Sequence, residues 1–453
     1  MTPDANDLCV FAIKRGNISN RFDVRNMRYS ASSVAIKQEK VTLGSLTVEE
    51  PCYGASATAV PRTDEKQPKY IRITDFDDFG IPSGHMFLAA ESYSEKHLLK
   101  EGDILFARTG GTVGKTYYYD GSIGPAVFAG YCIRFRFDEK KVLPRFVYWS
   151  TKTNAYSSWV NGIQRPSGQP NINKEEYKSY ELILPKTSEQ QKLVCKLDSD
   201  FLIRQKHLAE SEALLLGMRD FILTSLGIQK PKHAQTLVGA VKLHSIIKDC
   251  TFSAEYYHPE RMAAIQMIES TGLSVMILSD IVSFHREIVN SRGSKEKYLG
   301  LAGVQRQTGE LSGIVEEAAG QAFKYKAGDI LYGRLRPYLN KVLLAETSGI
   351  CSTEFHVMRL KENAGVLPGY LAAVLRSDLI LSQTKHMMTG NTHPRISNDD
   401  VKNLYIPIPS LSVQRRIEEE LQRRRTEART LKQQAENEWA EAKAQFEKEL
   451  LGE

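Results

Sequence analysis

The chain has 453 residues, 42% hydrophobic and 25% charged, with a formal net charge of +6. That length suits about two to four domains with ordinary cores, and the balance is that of a globular protein. No apolar run approaches the ~20 residues that span a bilayer and no basic start leads into an apolar export stretch, so a cytoplasmic protein with no membrane partner is expected. The six cysteines (9, 52, 132, 195, 250 and 351) form no C-x-x-C pair, which argues against a zinc site or a disulfide framework. The basic charge is compatible with a polyanionic partner without demanding one.

In chain order, the first distinctive element is GDILFARTGGTVGK at 102–115. Part of it, GGTVGKT (110–116), looks like a phosphate-binding loop, but that motif needs glycine where Thr109 stands. The following YYYDGS suits a strand and turn, whereas a phosphate loop must open a helix so that its amides face the anion. After LPRFVYWSTKTN (143–154) comes NGIQRPSGQPN (161–171), whose Gly and Pro exclude helix and central strand. The segment INKEEYKSYELILPKTSEQQKL (172–193) then passes from strand to helix pattern. Val194, Leu197, Phe201, Arg204, Leu208, Ser211, Leu215, Met218 and Ile222 alternate at spacings of three and four. They form a heptad seam, apolar except at Arg204 and Ser211, and Ser188 with Gln191 offers a capping box.

The second half repeats this order. GDILYGRLRPYLNK (328–341) matches the first motif at an offset of 226, with six of fourteen residues identical. LPGYLAAVLRSD (367–378) and ISNDDVKNLYIPIPSLSVQRRI (396–417) match their counterparts at an offset of 224. Upstream, 70–80 pairs with 298–309 and 13–30 with 241–259, more loosely. A period so far beyond the ~20–50 residues of solenoid repeats is a duplicated domain. A second long helix follows, with a seam at Ile417, Leu421, Ala428, Leu431, Ala435, Ala442 and Phe446 and a cap at Ser412. The expected fold is α+β: two tandem duplicated domains, each followed by a long helix, the two helices pairing as an antiparallel coiled coil. The boundaries are 1–185, 186–231, 232–409 and 410–453. Each helix would span about 55–60 Å. A duplicated protein with divergent loops suits a ligand that itself has two halves.

The G-D-I-L-x-x-R turns, the closing strands at Pro185 and Pro409, the glutamines five residues later (Gln190, Gln414) and AEYYHPE (254–260) carry a resemblance. The chain resembles the specificity subunit of Type I restriction–modification enzymes from about residue 13 to 450. The resemblance implies two target recognition domains, each reading half of a split site in double-stranded DNA. It implies helices that set the spacing and hold two methyltransferase subunits, joined by restriction and translocase subunits. It also implies no cofactor in this chain, with S-adenosylmethionine, ATP and Mg on the partners. Two such readers on the expected spacer fit half-sites about one to two turns of DNA apart.

On that reading, the candidate DNA contacts of the first copy are Arg108, Thr109, Lys115, Arg134 and Arg136, with Gln164, Arg165, Ser167, Gln169 and Asn171 in the loop. Those of the second copy are Arg334, Arg336, Tyr338 and Lys341, with Asn391, Thr392, His393 and Arg395. Arg108 and Arg334 share a repeat position, which suits a scaffold or phosphate role, and base choice is expected where the copies differ. His386 and His393 read as surface or DNA-contacting histidines rather than metal ligands. No G-x-G-x-x-G, H-E-x-x-H or G-x-S-x-G occurs, so a non-catalytic targeting subunit is expected. The alternatives are a specificity subunit of a methylation-based defence system without a motor, and a scaffold that binds protein alone.

Overall fold

The structure is a computed structural model describing residues 40–80, 86–163, 170–229, 240–249, 252–291, 296–317, 320–390 and 392–451. The proposed pairing of 13–30 with 241–259 rests on a segment outside the described residues. The chain forms two compact units, one of residues up to 205 plus 435 onward, the other of residues 206–434. This differs from the expected order of domain, helix, domain, helix. Each long helix gives one part to each unit and forms no unit of its own.

In the first unit the strand Ile104–Ala107, I-L-F-A, is buried throughout. It lies between Cys132–Phe135 and Thr116–Tyr118, antiparallel to both, with Cys52–Tyr53 at the edge. Covered on both faces, such a strand reads as a continuous apolar run rather than an alternation. Beside this sheet Lys69–Ile71 runs parallel to Ala126–Phe128, and Lys40–Thr42 pairs antiparallel with Glu181–Ile183. The helix Pro144–Ser150 opens on proline, where the missing N–H costs no hydrogen bond. Its Phe146, Val147 and Trp149 complete the core against Val194, Leu197 and Phe201 of one long helix and Trp439 and Phe446 of the other.

The second unit repeats this plan. Ile330–Gly333 is again buried throughout, between Phe355–Leu360 and Val342–Leu344, with Val282–His285 at the edge. Tyr298–Leu299 runs parallel to Gly349–Ser352, Ser274–Ile277 pairs with Tyr405–Ile408, and the helix Pro368–Arg376 also opens on proline. The duplicated α+β plan expected from the sequence is the plan observed.

Two polar devices recur and explain repeat residues. Asp103 and Asp329 are fully buried. Each accepts a two-pronged bond from an arginine, Arg136 just past the end of the neighbouring strand or Arg359 within it, with all four N–O distances 2.7 Å. Each also accepts the N–H of Lys100 or Lys326 at 2.8 Å, closing the turn before the strand. Gln190 and Gln414 are buried as well. Gln190 accepts the Leu143 N–H at 2.9 Å and donates to the Pro185 carbonyl at 2.8 Å. Gln414 does the same with Leu367 and Pro409, both at 2.9 Å. One amide thus ties the start of the short helix to the start of the long one, satisfying groups that helix ends leave open.

The long helices are Thr187–Ser225, 39 residues, and Leu411–Leu451, 41 residues. Within the first unit Lys196 pairs with Glu449 at 3.1 Å and Phe201 meets Trp439 at 5.4 Å. Within the second the Ser211 hydroxyl donates to the Ala428 carbonyl at 2.8 Å, and the Arg424 guanidinium lies 4.6 Å from the Phe221 ring centre. Rising numbers on one helix meet falling numbers on the other, so the pairing is antiparallel. Both polar seam positions have a purpose: Ser211 bonds across the seam, and Arg204 lies 4.2 Å over the Phe79 ring. The seam also contains Trp439, buried between Ala435 and Ala442, which the sequence reading skipped. The predicted caps are displaced. Ser188 and Ser412 lie inside the first turns, and the carbonyls opening the helices belong to Lys186 and Ser410.

Candidate nucleic-acid interface

In each unit three segments converge where the G-D-I-L-x-x-R strand ends. The N–H of the repeat arginine donates to a turn that joins two sheets: Arg108 to the Tyr131 carbonyl at 3.0 Å, Arg334 to the Glu354 carbonyl at 2.9 Å. The arginine's own carbonyl accepts from the far end of the loop, the N–H of Ile172 at 2.9 Å and of Ile396 at 3.0 Å. Two residues on, Gly110 donates to the Pro170 carbonyl and Arg336 to the Pro394 carbonyl. The loops 161–171 and 389–397 therefore arrive at equivalent places, pinned by equivalent backbone bonds.

The loops themselves differ. Asn161, Gly162 and Ile163 form the last turn of the helix Asn154–Ile163, correcting the expectation that 161–171 excludes helix. Gln164, Arg165, Ser167 and Gln169 lie outside the described residues, as does Asn391. Thr109 and Asn171 pair as an isolated bridge. In the second unit Thr389 and Arg395 exchange two backbone bonds of 2.9 Å and pinch off an exposed tip with Thr392 and His393.

The turn after the strand carries a backbone signature. Gly110 and Gly114 have φ of 71° and 87°, and the second copy places Arg336 and Asn340 there with φ of 49° and 50°. Left-handed backbone disfavours residues with a Cβ, and such strain is retained where a fixed loop shape is needed. Asn340 is held by its amide, which donates to the Arg376 carbonyl at 2.6 Å. Replacing Arg336 by glycine is expected to stabilise the second unit by about 1 kcal/mol, read as slower hydrogen exchange of the strand Ile330–Gly333. Faster exchange there would show that the Arg336 side chain contributes more than its backbone costs.

Several predicted contacts already have partners within their own unit. Arg134 is 4% exposed and donates to Glu49 at 2.6 Å and to the Lys96 carbonyl at 2.8 Å, so it leaves the candidate set. Arg136 is the partner of Asp103 and also reaches Glu49 at 2.7 Å. The strand alternation that made both look exposed instead places them beside two acids, the buried Asp103 and the exposed Glu49. Lys341 donates to the Leu301 carbonyl at 2.5 Å, and burial lowers its pKa. Lys115 pairs with Asp78 at 2.9 Å. Arg108 stacks its guanidinium 4.8 Å over Tyr53. Arg334 stands near His356, which burial, aided by that guanidinium, pushes down to about 4, leaving it neutral at pH 7.

His386 is drawn away from the loop. Its ring stacks on His258 at 3.4 Å between centres, and its Nε2 lies 2.8 Å from the buried Glu260 carboxylate. Exposed at or near the junctions are Tyr131 in the first unit and Tyr338, Thr392 and His393 in the second, with half-buried Arg336 and Arg395 beside the latter. Tyr131 and Glu354 were not candidates from sequence: they lie outside the repeat motif, in turns between sheets whose partners only the fold reveals. The GGTVGKT segment forms a short 3-10 turn leading into the strand Thr116–Tyr118, the strand-and-turn shape expected of it.

Among the described residues no helix is long and apolar enough to cross a membrane. A family model described as the Type I restriction modification DNA specificity domain matches residues 57–206 and 304–438, one segment in each copy. The Type I restriction enzyme EcoDI specificity subunit of Escherichia coli is 25% identical over 138 residues, 30% of this chain and 30% of that protein. A chain solved in work on assembly and conformational transition of the type I R-M system is 14% identical, with a TM-score of 0.48 over 93% of this chain and 98% of that one. The Type-I restriction-modification system S subunit from M. genitalium is 13% identical, with a TM-score of 0.44 over 92% and 97%. These structural likenesses are too distant to carry an argument. The family match covers more than half of the chain and falls on both copies, so the chain belongs to the Type I restriction modification DNA specificity family.

Proposed function

We propose that this chain is the non-catalytic DNA-reading subunit of a Type I restriction–modification enzyme. Each unit reads one half of a split site in double-stranded DNA. Two methyltransferase subunits and restriction subunits join it, bringing S-adenosylmethionine, ATP and Mg, and the complex works in the cytoplasm. The observation that carries this reading is the duplicated junction: one backbone scaffold built twice, presenting different side chains at the same places. A single ligand with two unlike halves is what such an arrangement suits. Phosphate contacts would supply most of the affinity and base contacts the choice of sequence.

The test is to map methylated sites in cells carrying this chain with its methyltransferase subunit. A motif of two short specified blocks separated by unspecified bases is expected. A continuous motif, or methylation that does not depend on this chain, would sink the reading.

A further inference from the structure

The turn position that receives the repeat arginine's N–H is Tyr131 in one unit and Glu354 in the other. The equivalence is fixed by register, since Ala107 pairs with Cys132 and Gly333 with Phe355. Tyr131 is 61% exposed. Glu354 instead grips Arg395 of the closing loop: Nε lies 3.0 Å from one carboxylate oxygen and Nη2 2.7 Å from the other. Arg395 keeps 43% of its side chain exposed, and its backbone is locked by the two bonds to Thr389.

A guanidinium carries five N–H bonds. Glu354 takes the Nε hydrogen and one on Nη2, and the His393 carbonyl, at 3.3 Å, takes one on Nη1. Two hydrogens remain, one on each terminal nitrogen. That is the donor pair which the O6 and N7 acceptors of guanine receive in the major groove. A fork already held in one rotamer loses little entropy on binding. A carboxylate near DNA would be repelled by phosphates unless a cation neutralised it, as Arg395 does here. The geometry points to Arg395 as a guanine-reading residue in the half-site of the second unit, with Glu354 as the residue that positions it. The turn residue of the first unit, Tyr131, offers no carboxylate, so that unit reads its half-site without this device. This inference rests on the DNA-reading function proposed above.

The test uses the full chain with its methyltransferase subunit, first to define the motif and then to measure binding to duplexes carrying it. Arg395→Ala should relax one G·C position in one half-site and weaken binding to the motif duplex about 10–100-fold. 7-Deazaguanine at that position should weaken the wild type about tenfold and leave the Arg395→Ala variant unaffected, because the same bond is removed twice. Glu354→Gln, which keeps the size and one acceptor, should relax the same position more mildly, and Tyr131→Ala should leave that half-site unchanged. An equal loss on all duplexes for Arg395→Ala would make it a phosphate contact and overturn the inference. So would a second half-site with no G·C position, or full sensitivity to 7-deazaguanine in the variant. An unchanged motif with Glu354→Gln would remove Glu354 from the assignment. If the wild type supports no split motif, the DNA-reading function itself fails; a split motif that the variants leave intact refutes this inference alone.

Discussion

Exchanging residues 1–185 for the matching segment of a relative is expected to change one half of the methylated motif and leave the other half as it was. The exchanged piece carries all strands of the first unit and the short helix with Phe146 and Trp149, but not the helix surfaces these pack against. Phe201, Trp439 and Phe446 stay with the recipient, as does Gln190, whose amide must still find the carbonyl at 185 and the N–H at 143. A donor that keeps a large aromatic at 149 and a proline at 185 should therefore fold onto the resident helices. One that does not leaves a cavity costing roughly 3–5 kcal/mol for a lost Trp. The result is read by sequencing methylated DNA from cells carrying the chimera. Changes in both halves, or in neither from a chimera that assembles and methylates, would show that the units do not read independently.

The duplication was legible because repeat residues answer to the backbone. Asp103 and Asp329 close a turn, Gln190 and Gln414 cap two helices at once, and Pro144 and Pro368 start helices, so the copies keep these residues at nearly constant offset. What the sequence concealed is the part set by side-chain partners distant in the chain. Arg134 and Arg136 alternate along a strand as exposed residues would, yet Glu49 and Asp103 hold them. Trp439 sits among charged residues, and the apolar seam was traced from small alanines on either side of it. The caps were displaced because Ser188 and Ser412 are good capping residues by type, while the chain turns into helix two residues earlier, at Lys186 and Ser410. Sequence marked Arg395 as a candidate but gave no sign of Glu354, 41 residues away, which holds it.

The buried aspartates give the other large expected effect. Asp103→Ala strips the Arg136 guanidinium of its two-pronged partner and leaves the turn N–H of Lys100 without its acceptor. Breaking a buried pair from one side typically costs about 3–5 kcal/mol. The arginines keep 18% and 33% of their side chains exposed, for Arg136 and Arg359 respectively, so water recovers part of their solvation. A loss of about 3 kcal/mol for Asp103→Ala, and somewhat less for Asp329→Ala, follows. Because the protein has two units, a single melting curve is a poor measure, and hydrogen exchange of the two central strands is a better one. Asp103→Ala should speed exchange in Ile104–Ala107 while Ile330–Gly333 stays protected, and Asp329→Ala should do the reverse. The double variant Asp103→Ala, Arg136→Ala should cost less than the sum of the two single changes, since without Asp103 the Arg136 guanidinium keeps only its bond to Glu49. Additive losses, or loss of protection in both strands from either aspartate alone, would mean that the paired ions are not what holds each turn to its sheet.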